Sequence, residues 1–147
     1  VLNGNTINKD SIIICGGSKE NMFLKSCEMI SIENINGKLN FENKRLGSLK
    51  QSCIHSSMIH DGNVIYLIGG NNGFGSTRNA QIYDITKNKW NTIKDTIFEH
   101  DDYPFIWKNN NNNSKYYGMI GVMGHSNQLN CMEYYDIRFN KWIQYIQ

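Results

Sequence analysis

Val64-Ile65-Tyr66-Leu67-Ile68-Gly69-Gly70 is a short apolar run closed by a glycine pair, and it has two relatives in the same chain. Upstream it is matched by Ile12-Ile13-Ile14-Cys15-Gly16-Gly17, and downstream by the weaker Met119-Ile120-Gly121-Val122-Met123-Gly124. The last glycines, Gly17, Gly70 and Gly124, fall at a near-constant step of 53 or 54 residues. A fixed step of that size marks a repeat architecture, in which each unit cannot bury its apolar face alone.

A second strand-like run follows each glycine in register: Glu28-Met29-Ile30-Ser31-Ile32, Gln81-Ile82-Tyr83-Asp84-Ile85 and Tyr134-Tyr135-Asp136-Ile137. In the last two copies a tryptophan stands seven residues after the tyrosine, Tyr83 to Trp90 and Tyr135 to Trp142. Asp61-Gly62-Asn63 is a tight hairpin turn joining a strand at 53–60 to the one at 64–70, since Gly and Asn tolerate positive φ. Thr86-Lys87-Asn88-Lys89 turns the chain again before Trp90. Glycine pairs at strand ends permit close approach of neighbouring backbone and a sharp exit. Each unit therefore reads as one small antiparallel sheet, and the chain as all-β.

These residues resemble the kelch repeat. The second unit carries the resemblance best, with His55-Ser56-Ser57, Asp61-Gly62, Gly69-Gly70, Tyr83-Asp84 and Trp90. The third has Met123 where the first glycine of the pair belongs, and the run Asn109 to Asn113 enlarges the turn between its first two strands. In the first unit Ile30 replaces the tyrosine, no tryptophan follows, and Phe41, beyond the Asn36-Gly37-Lys38 turn, is the candidate substitute. Since each kelch repeat builds one propeller blade, the resemblance implies a partial β-propeller. Three four-stranded antiparallel blades, near 1–43, 50–95 and 101–147, would form an arc of a larger ring, with apolar surface on the faces of its end blades. The chain begins with Val1 and not Met, which suggests a segment of a longer protein with further kelch repeats.

Composition narrows the function classes. The 15 Lys and Arg against 13 Asp and Glu are scattered singly, so no basic patch signals nucleic acid or a membrane surface. The longest apolar run is far short of a membrane span. The 22 asparagines are compositional bias and carry no functional weight. Cys15, Cys27, Cys53 and Cys131 form no C-x-x-C pair and read as small hydrophobes buried in strands. With no signal-peptide pattern before them, a reducing cytoplasm is the default location.

The chemistry-bearing residues read as structural. Tyr83, Trp90, Tyr135 and Trp142 are core aromatics packed between sheets, as the resemblance implies. Asp84 and Asp136 look like a carboxylate pair, but their repetition points to turn capping. His55 and His60 lie five apart, on opposite sides of an extended strand. His100 sits in Glu99-His100-Asp101-Asp102, which reads as a solvated connection between sheets. The Gly69–Gly75 stretch leads from strand to strand, without the helix N-terminus that phosphate binding requires. No catalytic motif and no cofactor site emerge.

A binding module is the expected function. Kelch propellers commonly display loops to a protein partner, as substrate receptors of ubiquitin ligases or as cytoskeletal scaffolds. The other class the resemblance offers is an enzyme of the galactose oxidase or sialic acid mutarotase kind, whose catalytic residues would lie outside this segment. For the module, the contact loops follow the glycine pairs: 18–26, 71–79 and 125–128. Lys19, Glu20, Asn71, Asn72, Phe74, Arg78, His125 and Asn127 are the candidate partner-binding residues. Arg78 can fork onto a carboxylate. Phe23 and Phe74 either project as exposed aromatics or fold back onto their own sheets.

Overall fold

The computed structural model describes residues 8–124 and 131–146. Among the described residues there is no helix, and every strand pairing is antiparallel. The first sheet has three strands, β1 (Asn8–Cys15), β4 (Cys27–Ile35) and β5 (Lys38–Arg45), in the order β1-β4-β5, with a small hairpin of β2 (Ser18–Lys19) and β3 (Met22–Phe23) after its glycine pair. The second sheet is four-stranded: β6 (Ser57–Asp61), β7 (Val64–Ile68), β8 (Ala80–Asp84) and β9 (Lys89–Thr92) in sequential order. The third repeats that order with β10 (Phe105–Lys108), β11 (Ile120–Met123), β12 (Glu133–Asp136) and β13 (Lys141–Gln144).

The repeat is visible in the registers. Tyr83 pairs with Trp90 and Tyr135 with Trp142 as directly opposite residues, with ring centroids 5.1 Å apart in both sheets. In the first sheet the corresponding pair is Ile30 and Asn43. Phe41 instead opposes Ile32 and is 68% exposed, so it does not stand in for the tryptophan. The strand expected to precede β1 falls at 1–7, outside the described residues. The first strand of the second sheet is also shorter than expected: it opens at Ser57, because His55 takes a left-handed conformation (φ 56°).

Alternation sends each face of the second sheet to a different neighbour. Ile65, Leu67, Tyr83 and Trp90 pack on Ile13, Cys15, Cys27, Met29, Leu46 and Leu49 of the first unit. On the other face Tyr66, Ile68 and Ala80 pack against Ile120, Val122, Tyr135 and Trp142 of the third. The third sheet's far face carries an aromatic cluster, in which Tyr116 stacks on Tyr134 at 4.3 Å beside Trp107 and Tyr145. Tyr116 comes from the chain just after the asparagine run, so the enlarged turn folds back over its own sheet.

The joints between sheets repeat too. Gly17 N–H donates to Cys53 O at 3.1 Å, and Gly70 N–H to His100 O at 2.6 Å. A Cβ on Gly16 or Gly69 would collide with those same carbonyl oxygens, and both residues have positive φ, so the first glycine of each pair is required there. On the opposite edge Asn88 Oδ1 accepts from Tyr83 Oη at 2.7 Å and from Gly47 N–H at 2.7 Å. Asn140 does the same for Tyr135 Oη and Lys94 N–H, both at 2.9 Å. The signature tyrosine thus orients the turn residue that holds the preceding unit.

Asp84 and Asp136 cap turns, as expected. Asp84 accepts from Thr86 N–H and Oγ1 and from Lys87 N–H, and the Thr86 hydroxyl and Lys87 hold its carboxyl down to about 2. Asp136 accepts from Arg138, whose guanidinium likewise keeps it ionised below the usual carboxylate range.

Candidate functional site

The loops after the glycine pairs share one construction. Leu24 N–H closes the first on Gly17 O at 2.9 Å, and Thr77 N–H closes the second on Gly70 O at 2.9 Å. In the third unit Cys131, at the same offset, donates its Sγ–H to Gly124 O at 3.3 Å. His125 and Asn127 lie between these two residues, outside the described residues.

The first loop is the β2-β3 hairpin, with Glu20 and Asn21 in left-handed conformations at its tip. Lys19 and Glu20 are exposed. Phe23 folds inward, its ring lying where a Cβ on Gly73 would be, so it braces the first loop against the second. Phe74 does the opposite and is 100% exposed. Two asparagines hold it there: Asn71 Oδ1 accepts from Gly73 N–H at 2.8 Å, and Asn72 Oδ1 from Phe74 N–H at 2.9 Å. Side chains that grip their own backbone two residues on are turn makers. Asn71 is further tied down by a backbone bridge to Ile54 and by Asp101 Oδ2, which also accepts from Ser76 Oγ at 3.2 Å. Asn71 and Asn72 therefore build the loop, while Lys19, Glu20, Phe74 and Arg78 present outward.

Beside these loops opens a cleft of about 350 Å³ lined by Cys15, Gly17, Ser18, Cys53, Ile54, His55, Ser56 and Tyr103. His55 and Tyr103 face each other across 5.0 Å, and Tyr103 N–H donates to His55 O. Burial pushes the Cys53 thiol up, and the hydrogen bond from Cys15 to Cys27 raises Cys15 while lowering Cys27. Among the described residues, no three His, Cys, Asp or Glu side chains converge as a metal site would need.

His100 corrects the sequence reading most sharply, because it is fully buried and not solvated. Its Nδ1 lies 3.0 Å from Gly124 O and therefore donates, while Nε2 meets Glu133 Oε1 at 2.9 Å. Glu133 also accepts from Ile97 N–H and Phe98 N–H, at 2.8 and 3.1 Å. Gln81, at the same place in the second sheet, accepts from Lys50 N–H and Gln51 N–H and donates to Gln51 O. One strand position thus grips the backbone arriving from the preceding sheet. Sequence reasoning missed this grip, although a signal exists: Glu28, Gln81 and Glu133 recur two residues before Ile30, Tyr83 and Tyr135.

Residues 52–96 match the kelch motif, so the second unit is a kelch motif and the comparison supports a kelch-repeat family for the chain. No curated protein matches the chain. A solved structure described as a novel fungal alcohol oxidase with catalytic diversity among the AA5 family, in complex with copper, is similar over 82% of this chain at a TM-score of 0.61 and 11% identity. That likeness is one of fold, and this chain spans 26% of the oxidase's length. No helix among the described residues is long and apolar enough to cross a membrane.

Proposed function

We propose that this kelch-motif chain is a run of three propeller blades, near 1–43, 50–95 and 101–147, that acts as a protein-binding module and not as a catalyst. The observation that carries the reading is the loop edge. A rigid stack of sheets, joined by repeated glycine and asparagine contacts, holds an exposed aromatic and three charged side chains at the exits of its first two glycine pairs. Variable loops on a rigid scaffold are where binding residues concentrate. Lys19, Glu20, Phe74 and Arg78 are the contact residues, joined by His125 and Asn127, with Asn71 and Asn72 shaping the loop beneath Phe74.

The outer face of the first sheet supports the arc. Ile12 opposes Ile30 as Ile65 opposes Tyr83, and Ile14 opposes Glu28 as Leu67 opposes Gln81. Ile12 and Ile14 are 52% and 55% exposed, while Ile65 and Leu67 are 5% and 1% exposed against the first unit. Residues at positions built to meet a preceding blade lie open, which fits further repeats in a parent propeller. In that setting the module would serve as a substrate receptor of a ubiquitin ligase or as a cytoskeletal scaffold, in the cytoplasm.

A photo-crosslinking residue at position 74 in the parent protein, with Leu39 on the first sheet as the control position, tests the site. The expected result is a protein adduct from position 74 that disappears on Arg78→Glu, while Arg78→Ala leaves folding stability unchanged. Adducts of equal yield at both positions, or adducts insensitive to residue 78, would overturn it. Stoichiometric copper in the purified parent would favour the catalytic class instead.

A further inference from the structure

Cys15 and Cys27 are directly opposite each other at the ends of β1 and β4. The next backbone hydrogen bond, Gly16 N–H to Ser26 O at 2.9 Å, runs between their outer neighbours, which makes Cys15/Cys27 a non-hydrogen-bonded pair. In such pairs the Cα atoms stand about 4.5 Å apart with side chains close together, inside the range of about 4.4–6.8 Å that a disulfide spans. Both thiols are free.

We propose that Cys15 and Cys27 form a redox-active dithiol that closes to a cross-strand disulfide on reaction with a small-molecule disulfide entering the adjoining cleft. Cys15 is half-buried and lines that cleft, whereas Cys27 is buried behind it in the contact between the first two units. The two therefore have different tasks. The Cys15 thiol gives its proton to water as its sulfur attacks one sulfur of the incoming disulfide, forming a mixed disulfide. The first thiolate leaves and takes a proton from water. Cys27 then gives up its proton to water and attacks the Cys15 sulfur, expelling the second thiolate, which takes a proton from water. Two protein thiols become one disulfide, and the incoming disulfide is reduced to two thiols.

Cys27 suits the second task because it lies directly opposite Cys15 and is buried in the contact between the first two units. Cys53 also lines the cleft, but it stands in a different unit, outside any strand pairing with Cys15. The linkage would lock β1 to β4 immediately before Gly16-Gly17, at the root of the loop that carries Lys19 and Glu20.

The test is peptide mapping of the whole chain after equilibration with glutathione disulfide and alkylation of the remaining thiols. Cleavage after Lys19 and Lys25 puts Cys15 and Cys27 on separate peptides. The expected product is one peptide pair linked through Cys15 and Cys27, with Cys53 and Cys131 alkylated. Cys27→Ser should trap glutathione on Cys15, Cys15→Ser should trap none, and Cys53→Ser should leave the linkage intact. A Cys15–Cys53 linkage, an unmodified Cys15 in the Cys27→Ser variant, or four alkylated cysteines in the treated unsubstituted chain would overturn the proposal.

Discussion

The first and second sheets place their residues on the same lattice and give them opposite surroundings. Ile12, Ile14, Glu28 and Ile30 sit where the second sheet has Ile65, Leu67, Gln81 and Tyr83. In the second sheet these side chains are buried against the preceding unit, and Gln81 grips its backbone. In the first, Ile12 and Ile14 lie open, and Glu28 is exposed and accepts from Asn43 Nδ2 of its own sheet. Tyrosine and tryptophan occur where a described preceding sheet is present to cover them, and isoleucine and asparagine where none is. Burial of the repeat's signature residues is therefore a property of the neighbour as much as of the unit.

The largest test of this contrast is the matched pair Trp90 and Asn43. Trp90→Ala should cost about 3–5 kcal/mol, the usual range for a large buried aromatic, while Asn43→Ala should stay within about 0.5 kcal/mol, as surface changes do. Equal losses in chemical denaturation would break the comparison. Glu133 and Glu28 come next. Glu133→Ala strands His100 and two backbone amides, and each buried donor left without an acceptor costs about 1–3 kcal/mol, whereas Glu28→Ala should be nearly silent. A smaller contrast separates Ile65→Ala, at about 2–5 kcal/mol, from Ile12→Ala. The ordering, more than any single value, carries the claim.

The smallest effect is a pH dependence. Asp84 has its folded pKa depressed from 3.8 to about 2, so the turn's contribution is fully present above the unfolded value and is lost as pH falls from near 4 through about 2. Amide exchange at Thr86 and Lys87 should stay slow at pH 4 and quicken towards pH 2, and Asp84→Asn should remove that dependence. Loss of protection already above pH 4 would contradict the capping role.

Much of the fold was legible because kelch signatures are short-range chemistry. Glycine pairs, the Asp61-Gly62-Asn63 turn and the Tyr–Trp spacing each fix a local geometry that period-two strands then propagate. Phe41 was misread because its candidacy rested on residue type, while register decides which face it occupies. The burial of His100 depends on Glu133 and Gly124, more than twenty residues away in another unit, and no local pattern around His100 encodes that. At the loop edge the sequence does not show the division of labour within the segments that follow the glycine pairs. Asn71, Asn72 and Phe74 are neighbours, and only the direction of two side-chain hydrogen bonds separates scaffold from presented surface.

Association of the isolated chain tests the central claim most directly, because an uncovered apolar sheet face should seek a partner. Light scattering over a concentration series should show self-association of the 147-residue chain, weakened by Ile12→Asp with Ile14→Asp while the buried-aromatic signals of Trp90 and Trp142 persist. A monomer at every concentration that binds no hydrophobic dye, or association indifferent to residues 12 and 14, would show that this face is not waiting for another blade.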